Sequence, residues 1–187
     1  MNAQYKSFLT KTLWVTIITF VLRCLISWDE LTANIHLYNL YGYAGEAIGF
    51  TIALMAVYEK WLWRFNPLES VPALNKVYTG IVKSSYDNLE RFATIEIKQT
   101  LLSVHITFTS GESKSKSISA SINEILGEKQ LIYNYLNTPK SEFRSRSEVQ
   151  YGTAMLCVDN PKELTGQYYT DRKTIGDMKF TPVEKQQ

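Results

Sequence analysis

Two apolar stretches in the first third constrain this chain more than anything that follows them. The first runs from about Leu13 to Trp28 and the second from about Leu40 to Trp63. A helix needs roughly 17–25 mainly apolar residues to cross a bilayer, and both stretches reach that length. They predict spans over about 11–28 and 40–63, a transmembrane hairpin over 1–65, and a tethered domain over 66–187. Lys6 and Lys11 resemble the charged start of a secretory leader, but no small-x-small cleavage motif follows, and a second apolar stretch comes soon after. A retained hairpin is therefore expected.

Flanking charge sets the expected orientation. Lys6 and Lys11 precede the first span, and Lys60 and Arg64 follow the second. The connecting loop carries Asp29, Glu30 and His36 and no lysine or arginine. The positive-inside rule then puts both termini and the following domain in the cytoplasm, with the connecting loop outside, in a multi-pass membrane protein. Trp14, Trp28, Tyr41, Tyr43, Tyr58, Trp61 and Trp63 flank the spans as interfacial aromatics do.

Gly45, Gly49 and Ala53 recur every four residues in the second span. Small residues at that spacing let membrane helices approach closely, either between the two spans or between copies of the chain. Arg23 and Glu46 are charges inside the apolar stretches and fall at similar expected depth. A charge in hydrocarbon is costly unless it is paired or reaches the interface, so an Arg23–Glu46 interaction is expected within or between protomers.

Asn66-Pro67 ends the second helix, because proline disfavours helix in the residue before it. Beyond Lys76 the pattern changes to short alternating segments, which mark half-buried strands. Strands are expected over 76–83, 92–99, 101–109, 115–122, 130–136, 149–157, 164–171 and 174–181, with a polar loop over 139–148 and a frayed tail after Pro182. Eight short strands in about 110 residues fit a small antiparallel β-barrel of lipocalin-like size, or a sandwich. Closure removes exposed edges, and eight strands leave room for side chains or one small ligand.

The C-terminal hairpin carries the strongest chemical hint. Alternate residues Leu164, Gly166, Tyr168, Thr170, Arg172, Thr174, Gly176, Met178 and Phe180 share one face if the register runs through the turn. That face is apolar or small at its ends and polar at the tip. Arginine suits a phosphate oxygen pair, Thr170 and Thr174 offer hydroxyls, and Tyr168 can stack on a base. Tyr78 and Tyr135 sit on compatible strand faces and complete the candidate ligand set with Tyr168, Thr170, Arg172 and Thr174. Ser115, Ser117, Ser119 and Ser121 form a row opposite Lys116, Ile118, Ala120 and Ile122, and parity alone does not say which row faces inward.

Catalytic constellations are scarce. Two histidines, His36 and His105, and two cysteines, Cys24 and Cys157, form no metal-ligand spacing. No Gly-rich phosphate loop or Gly-x-Ser-x-Gly elbow appears. Neither a catalytic residue, a cofactor nor a metal is expected. The net charge of +2 gives no sign of DNA or RNA binding.

Two N-terminal spans before a strand-rich domain form a familiar order. With Val-Tyr-Thr-Gly-Ile-Val-Lys-Ser-Ser-Tyr (77–86), Ile-Lys-Gln-Thr (97–100), Tyr-Asn-Tyr-Leu-Asn-Thr-Pro (133–139) and Leu-Thr-Gly-Gln-Tyr-Tyr-Thr-Asp-Arg-Lys-Thr-Ile-Gly (164–176), the chain resembles the two-transmembrane β-barrel effectors of bacterial CBASS antiphage defence, the CD-NTase-associated, STING-like membrane effectors. That resemblance implies a receptor rather than an enzyme. A linked synthase makes a cyclic dinucleotide, the barrel binds it, the protein homo-oligomerises, and the spans disrupt the inner membrane and kill the infected cell. Arg23, Gly45, Glu46, Gly49 and Ala53 are then the candidate membrane-assembly residues. The alternative is a membrane-tethered barrel that carries or senses a lipid or other apolar ligand.

Overall fold

The computed structural model describes residues 3–29, 37–145 and 147–183. Glu30 and His36 of the expected connecting loop, and the expected frayed tail beyond Val183, lie outside the described residues. The chain divides into two compact units, Met1–Asn66 and Pro67–Gln187.

The first unit holds two helices, α1 (Ala3–Ile26) and α2 (Leu37–Lys60), with a 3-10 turn over Leu62–Phe65. Both helices are long and apolar enough to cross a membrane. They begin before the expected spans, and α2 gives way at Trp61 to the 3-10 turn. The expected boundary at Trp63 therefore shifts back to Lys60. The hydroxyl of Tyr58 accepts a hydrogen bond from Asn66 Nδ2 at 2.7 Å, tying down this end.

The two helices pack on each other. The buried face of α2 is Tyr43, Ala47, Thr51 and Met55, a four-residue repeat. Gly45, Gly49 and Ala53 fall on a different, exposed face. A Cβ added at Gly45 or Gly49 meets nothing within 4 Å. Arg23 and Glu46 do meet: Arg23 Nε lies 2.6 Å from Glu46 Oε2 within one chain. The guanidinium also donates to Ser27 Oγ and sits 4.4 Å from the centre of the Tyr43 ring.

The second unit is a closed antiparallel barrel of eight strands in sequence order. They are β1 (Val77–Ser84), β2 (Glu90–Gln99), β3 (Val104–Ser110), β4 (Ser113–Ile125), β5 (Glu128–Pro139), β6 (Gln150–Cys157), β7 (Leu164–Thr170) and β8 (Ile175–Pro182). Tyr78 through Ser84 pair with Pro182 through Gly176, which closes the ring without an edge. Alternation puts Ile95, Ile97, Leu131, Ala154, Leu156, Leu164 and Phe180 in the core. Each fully buried large apolar side chain contributes about 1.5–3 kcal/mol.

Several strands run longer than the alternation suggests. Leu126 and Gly127 both have positive φ (54° and 85°), the signature of a two-residue type I′ turn. That tight turn lets β4 and β5 pair as far as Ile125 and Glu128. Asn137-Thr138-Pro139, beyond the strand end expected at 136, is the last part of β5, with Pro139 opposite Ser113 at the strand end. Proline is tolerated there because a terminal position needs no further ladder bond. Residues 101–103, expected to open β3, lie instead in a turn held by Thr100 N donating to Ser103 O at 2.9 Å.

The serine row has a split answer. The register slips between Ser117 and Ser119, so Ile118 has no cross-strand partner and stands exposed. Ser115 is inside before the bulge, and Ile122 is inside after it. A one-residue slip exchanges the faces of a strand.

Candidate functional site

The barrel interior is graded in polarity. At one end Tyr78, Ile97, Leu101, Val104, Val158 and Leu164 are buried. The segment before β1 is fastened to this end. Gln99 Oε1 accepts from Leu74 N at 3.0 Å, and Gln99 Nε2 donates to Pro72 O at 2.9 Å. Val71 and Leu74 are buried with it.

At the other end the strands enclose an open cavity of about 230 Å³. Its apolar surface includes Val82, Phe108, Met178 and the rings of Tyr86, Tyr133, Tyr135 and Tyr168. Phe108 packs edge-on against Phe180 with ring centres 6.4 Å apart, which joins cavity to core. The polar lining includes Ser84, Ser110, Ser113, Ser115, Ser147 and Asn137. Ser115 Oγ donates to Asn137 Oδ1 at 2.7 Å, a buried pair between β4 and β5.

Glycines make the space for the tyrosines. Gly152 lies opposite Tyr135 in the β5–β6 register, and a Cβ there would run into the Tyr135 ring. Gly176 lies opposite Tyr168, and a Cβ there would meet the Tyr168 ring and Lys83 O. The Tyr133 and Tyr135 rings stack at a tilt, 5.7 Å apart. Burial pushes both phenols well above their ordinary range, so they are neutral donors at any physiological pH.

Five of the six expected ligand residues come together here: Tyr135, Tyr168, Thr170, Arg172 and Thr174 all line the cavity. Thr170 and Thr174 face each other across the β7–β8 turn with hydroxyl oxygens 2.6 Å apart. Thr170 N donates to Thr174 O at 3.0 Å, and Lys173 N to Thr170 O at 3.0 Å.

Two placements need correction. Parity put Arg172 among the inward residues, but the alternation does not survive the turn. Lys173 takes a positive φ of 60°, and Arg172 is exposed on the rim. It borders the cavity from there and makes no hydrogen bond or ion pair among the described residues. Tyr78 is not at the cavity. It is fully buried at the closed end, where its hydroxyl donates to Pro161 O at 2.8 Å and accepts from Asn75 N at 3.0 Å. Its tyrosine chemistry suited a ligand, but its place at the start of β1 puts it at the wrong end.

Arg91, Asp87 and Glu112 also line the cavity, and sequence reasoning passed over them. Arg91 Nη1 and Nη2 bond the Asp87 carboxylate at 3.0 and 2.5 Å, and its Nε lies 3.6 Å from Glu112 Oε1. The Arg91 hydrogen bonds hold the Asp87 carboxyl at about 2, helped by the Leu89 N–H. Asp87 in turn raises the Arg91 guanidinium further above its already high range. A signal was present: the inward row Ala93, Ile95, Ile97 extends back two residues to Arg91. It was missed because β2 begins at Glu90 rather than Phe92.

Against this geometry, the family model described as "Cap15, cyclic dinucleotide receptor domain" matches residues 69–182. The chain belongs to the Cap15 family. CD-NTase-associated protein 15 from Staphylococcus schleiferi is 31% identical over 191 residues, covering 98% of this chain and all of that protein. The Cap15 match runs from just before the fastened segment to the last residue of β8, so it spans the whole barrel and its cavity. This agrees with the resemblance to CBASS effectors and with the expected fold, two long apolar helices and a closed eight-stranded barrel.

Proposed function

We propose that this chain is a membrane-anchored receptor for a cyclic dinucleotide, which self-associates on binding and breaches the bacterial inner membrane in antiphage defence. The observation that carries the reading is the open end of the barrel. Aromatic rings, paired threonine hydroxyls and an exposed arginine meet there in one cavity, in a domain matched by a cyclic dinucleotide receptor family. At about 230 Å³ the cavity is small beside the usual ligand pocket of about 300–1,000 Å³. A cyclic dinucleotide therefore seats its bases among Tyr135, Tyr168 and Phe108 and leaves its phosphates at the rim. Arg172 meets a phosphate there, with Thr170 and Thr174 beside it.

The two helices form the effector part. Both termini and the barrel lie in the cytoplasm, where a linked synthase supplies the ligand. The exposed Gly45/Gly49/Ala53 face supports contact between copies, since the buried face of α2 lies elsewhere. The ligand must favour the assembled state over the resting one, or it shifts nothing. A carrier of apolar ligands has less support, because the apolar end of the lumen is filled by side chains and the open end sets serines, Asn137 and charged groups among its aromatic rings.

The test is dye release from liposomes of bacterial lipid holding the full chain. Addition of cyclic di-AMP, cyclic di-GMP, cyclic GMP-AMP or cyclic di-UMP should release dye with at least one of the four, and Arg172→Ala should suppress it. Silence with all four, or equal release by the variant, contradicts the reading.

A further inference from the structure

Among the described residues, the charged groups lining the cavity are two arginines, Arg91 and Arg172, and two carboxylates, Asp87 and Glu112. Their charges cancel. A doubly anionic guest therefore gains nothing from the summed charge of these four groups, and recognition depends on which arginine edges it can reach. A guanidinium offers two forks, the end-on pair of Nη1 and Nη2 and the side-on pair of Nε and one Nη, and each matches two oxygens of a carboxylate or phosphate.

The two forks of Arg91 are engaged unequally. Asp87 takes the end-on fork with both oxygens, at 3.0 and 2.5 Å. Asp87 is itself fixed, since its Oδ1 also accepts from Leu89 N at 3.1 Å. On the side-on edge, Arg91 Nε lies 3.6 Å from Glu112 Oε1, beyond ordinary hydrogen-bond distance. Glu112 sits in the short β3–β4 connection, between Ser110 and Ser113. Of the two carboxylates it has the weaker hold on Arg91.

We infer that Arg91 is a second phosphate-binding residue of this cavity, presented by Asp87, and that Glu112 occupies the fork a ligand phosphate takes over. The inference rests on the receptor reading above and adds the residue for the second phosphate. The β-strand geometry supports the pairing with Arg172. Only β8 and β1 separate the β7–β8 turn from β2 around the ring. At about 4.8 Å per strand the two arginine stems stand roughly 12 Å apart along the rim, and both side chains are long enough to converge on one ligand. Asp87 is a positioning residue: it aims the guanidinium and does not touch the guest. Glu112 competes with the guest, so its carboxylate lowers affinity.

This gives opposite signs for neighbouring substitutions. The experiment is isothermal titration of the full chain in nanodiscs with cyclic di-AMP, cyclic di-GMP, cyclic GMP-AMP and cyclic di-UMP, using for the variants the one that wild type binds most tightly. Arg91→Ala should weaken binding about 10-fold or more, the scale of a charge-assisted hydrogen bond. Arg91→Lys should be nearly as weak, because an ammonium offers no fork. Glu112→Gln should tighten binding several-fold, an outcome that misfolding cannot produce. Wild-type binding with unchanged affinity in Arg91→Lys, or with unchanged or weaker affinity in Glu112→Gln, overturns this inference alone. Failure of wild type to bind any of the four overturns the receptor reading and this inference with it.

Discussion

The Tyr135 ring lies directly over Gly152 on the next strand, in the space a Cβ would occupy. The aromatic residue covers the backbone that the glycine leaves bare, as cross-strand glycine–aromatic pairs do. Tyr168 and Gly176 repeat the arrangement on β7 and β8. Two of the four tyrosines that line the cavity thus depend on a missing side chain opposite.

Gly152→Ala should push the Tyr135 ring out of place. Overpacking of this kind costs about 1–3 kcal/mol, read as a lower unfolding midpoint of the full chain. Ligand affinity should fall along with it. Restored affinity in the double variant Gly152→Ala/Tyr135→Leu would count against Tyr135 as a stacking wall.

Arg172 borders the cavity and has no partner among the described residues. Replacing it should cost the ligand a charge-assisted contact without disturbing the barrel. Arg172→Ala should weaken cyclic dinucleotide binding about 10- to 100-fold and leave thermal unfolding within about 0.5 kcal/mol of wild type. A large loss of stability would assign it a structural role.

Asp87 sets a pH dependence with a definite sign. Its folded pKa of about 2 lies below its ordinary value of 3.8. Between those values the unfolded chain binds a proton that the folded chain does not, so stability rises with pH there. The Asp87 contribution is fully present above about pH 4 and is lost as pH falls through about 2. The difference in unfolding midpoint between wild type and Asp87→Asn should be constant near neutral pH and shrink towards pH 2. A difference that shrinks between about pH 6 and pH 5 would point to another group.

The Arg23–Glu46 pair makes a prediction for the helical hairpin. Glu46→Ala removes a carboxylate that lies 2.6 Å from Arg23 in an apolar stretch. Membrane insertion should weaken by about 1–3 kcal/mol, a cost limited by the reach of the long arginine side chain to the interface. The double variant Arg23→Leu/Glu46→Leu should insert at least as well as wild type, because it removes both charges. An insertion assay that finds Glu46→Ala unaffected would show that the pair contributes nothing there.

Architecture was legible because both of its signals are long. Two apolar stretches and eight alternating segments survive errors of two or three residues at their ends. The Arg23–Glu46 contact was legible because burial of charge in an apolar helix leaves few options. Placement within the barrel was harder. Parity assigns a face but not an end of the lumen, so Tyr78 was grouped with residues at the opposite mouth. Parity also stops at a turn, which moved Arg172 from the lumen to the rim, and it reverses at a bulge, which divided the serine row between Ser115 and Ile122. Arg91 was overlooked because it stands one residue outside the strand that alternation outlined.

Hydrogen–deuterium exchange of the full chain in nanodiscs, with and without the cyclic dinucleotide that releases dye, locates the ligand on the barrel. Protection should concentrate on 84–91, 110–115 and 168–174, the segments around the open end. Protection confined to the closed end near Tyr78 and Pro161, or no protection in the barrel at all, would contradict the account.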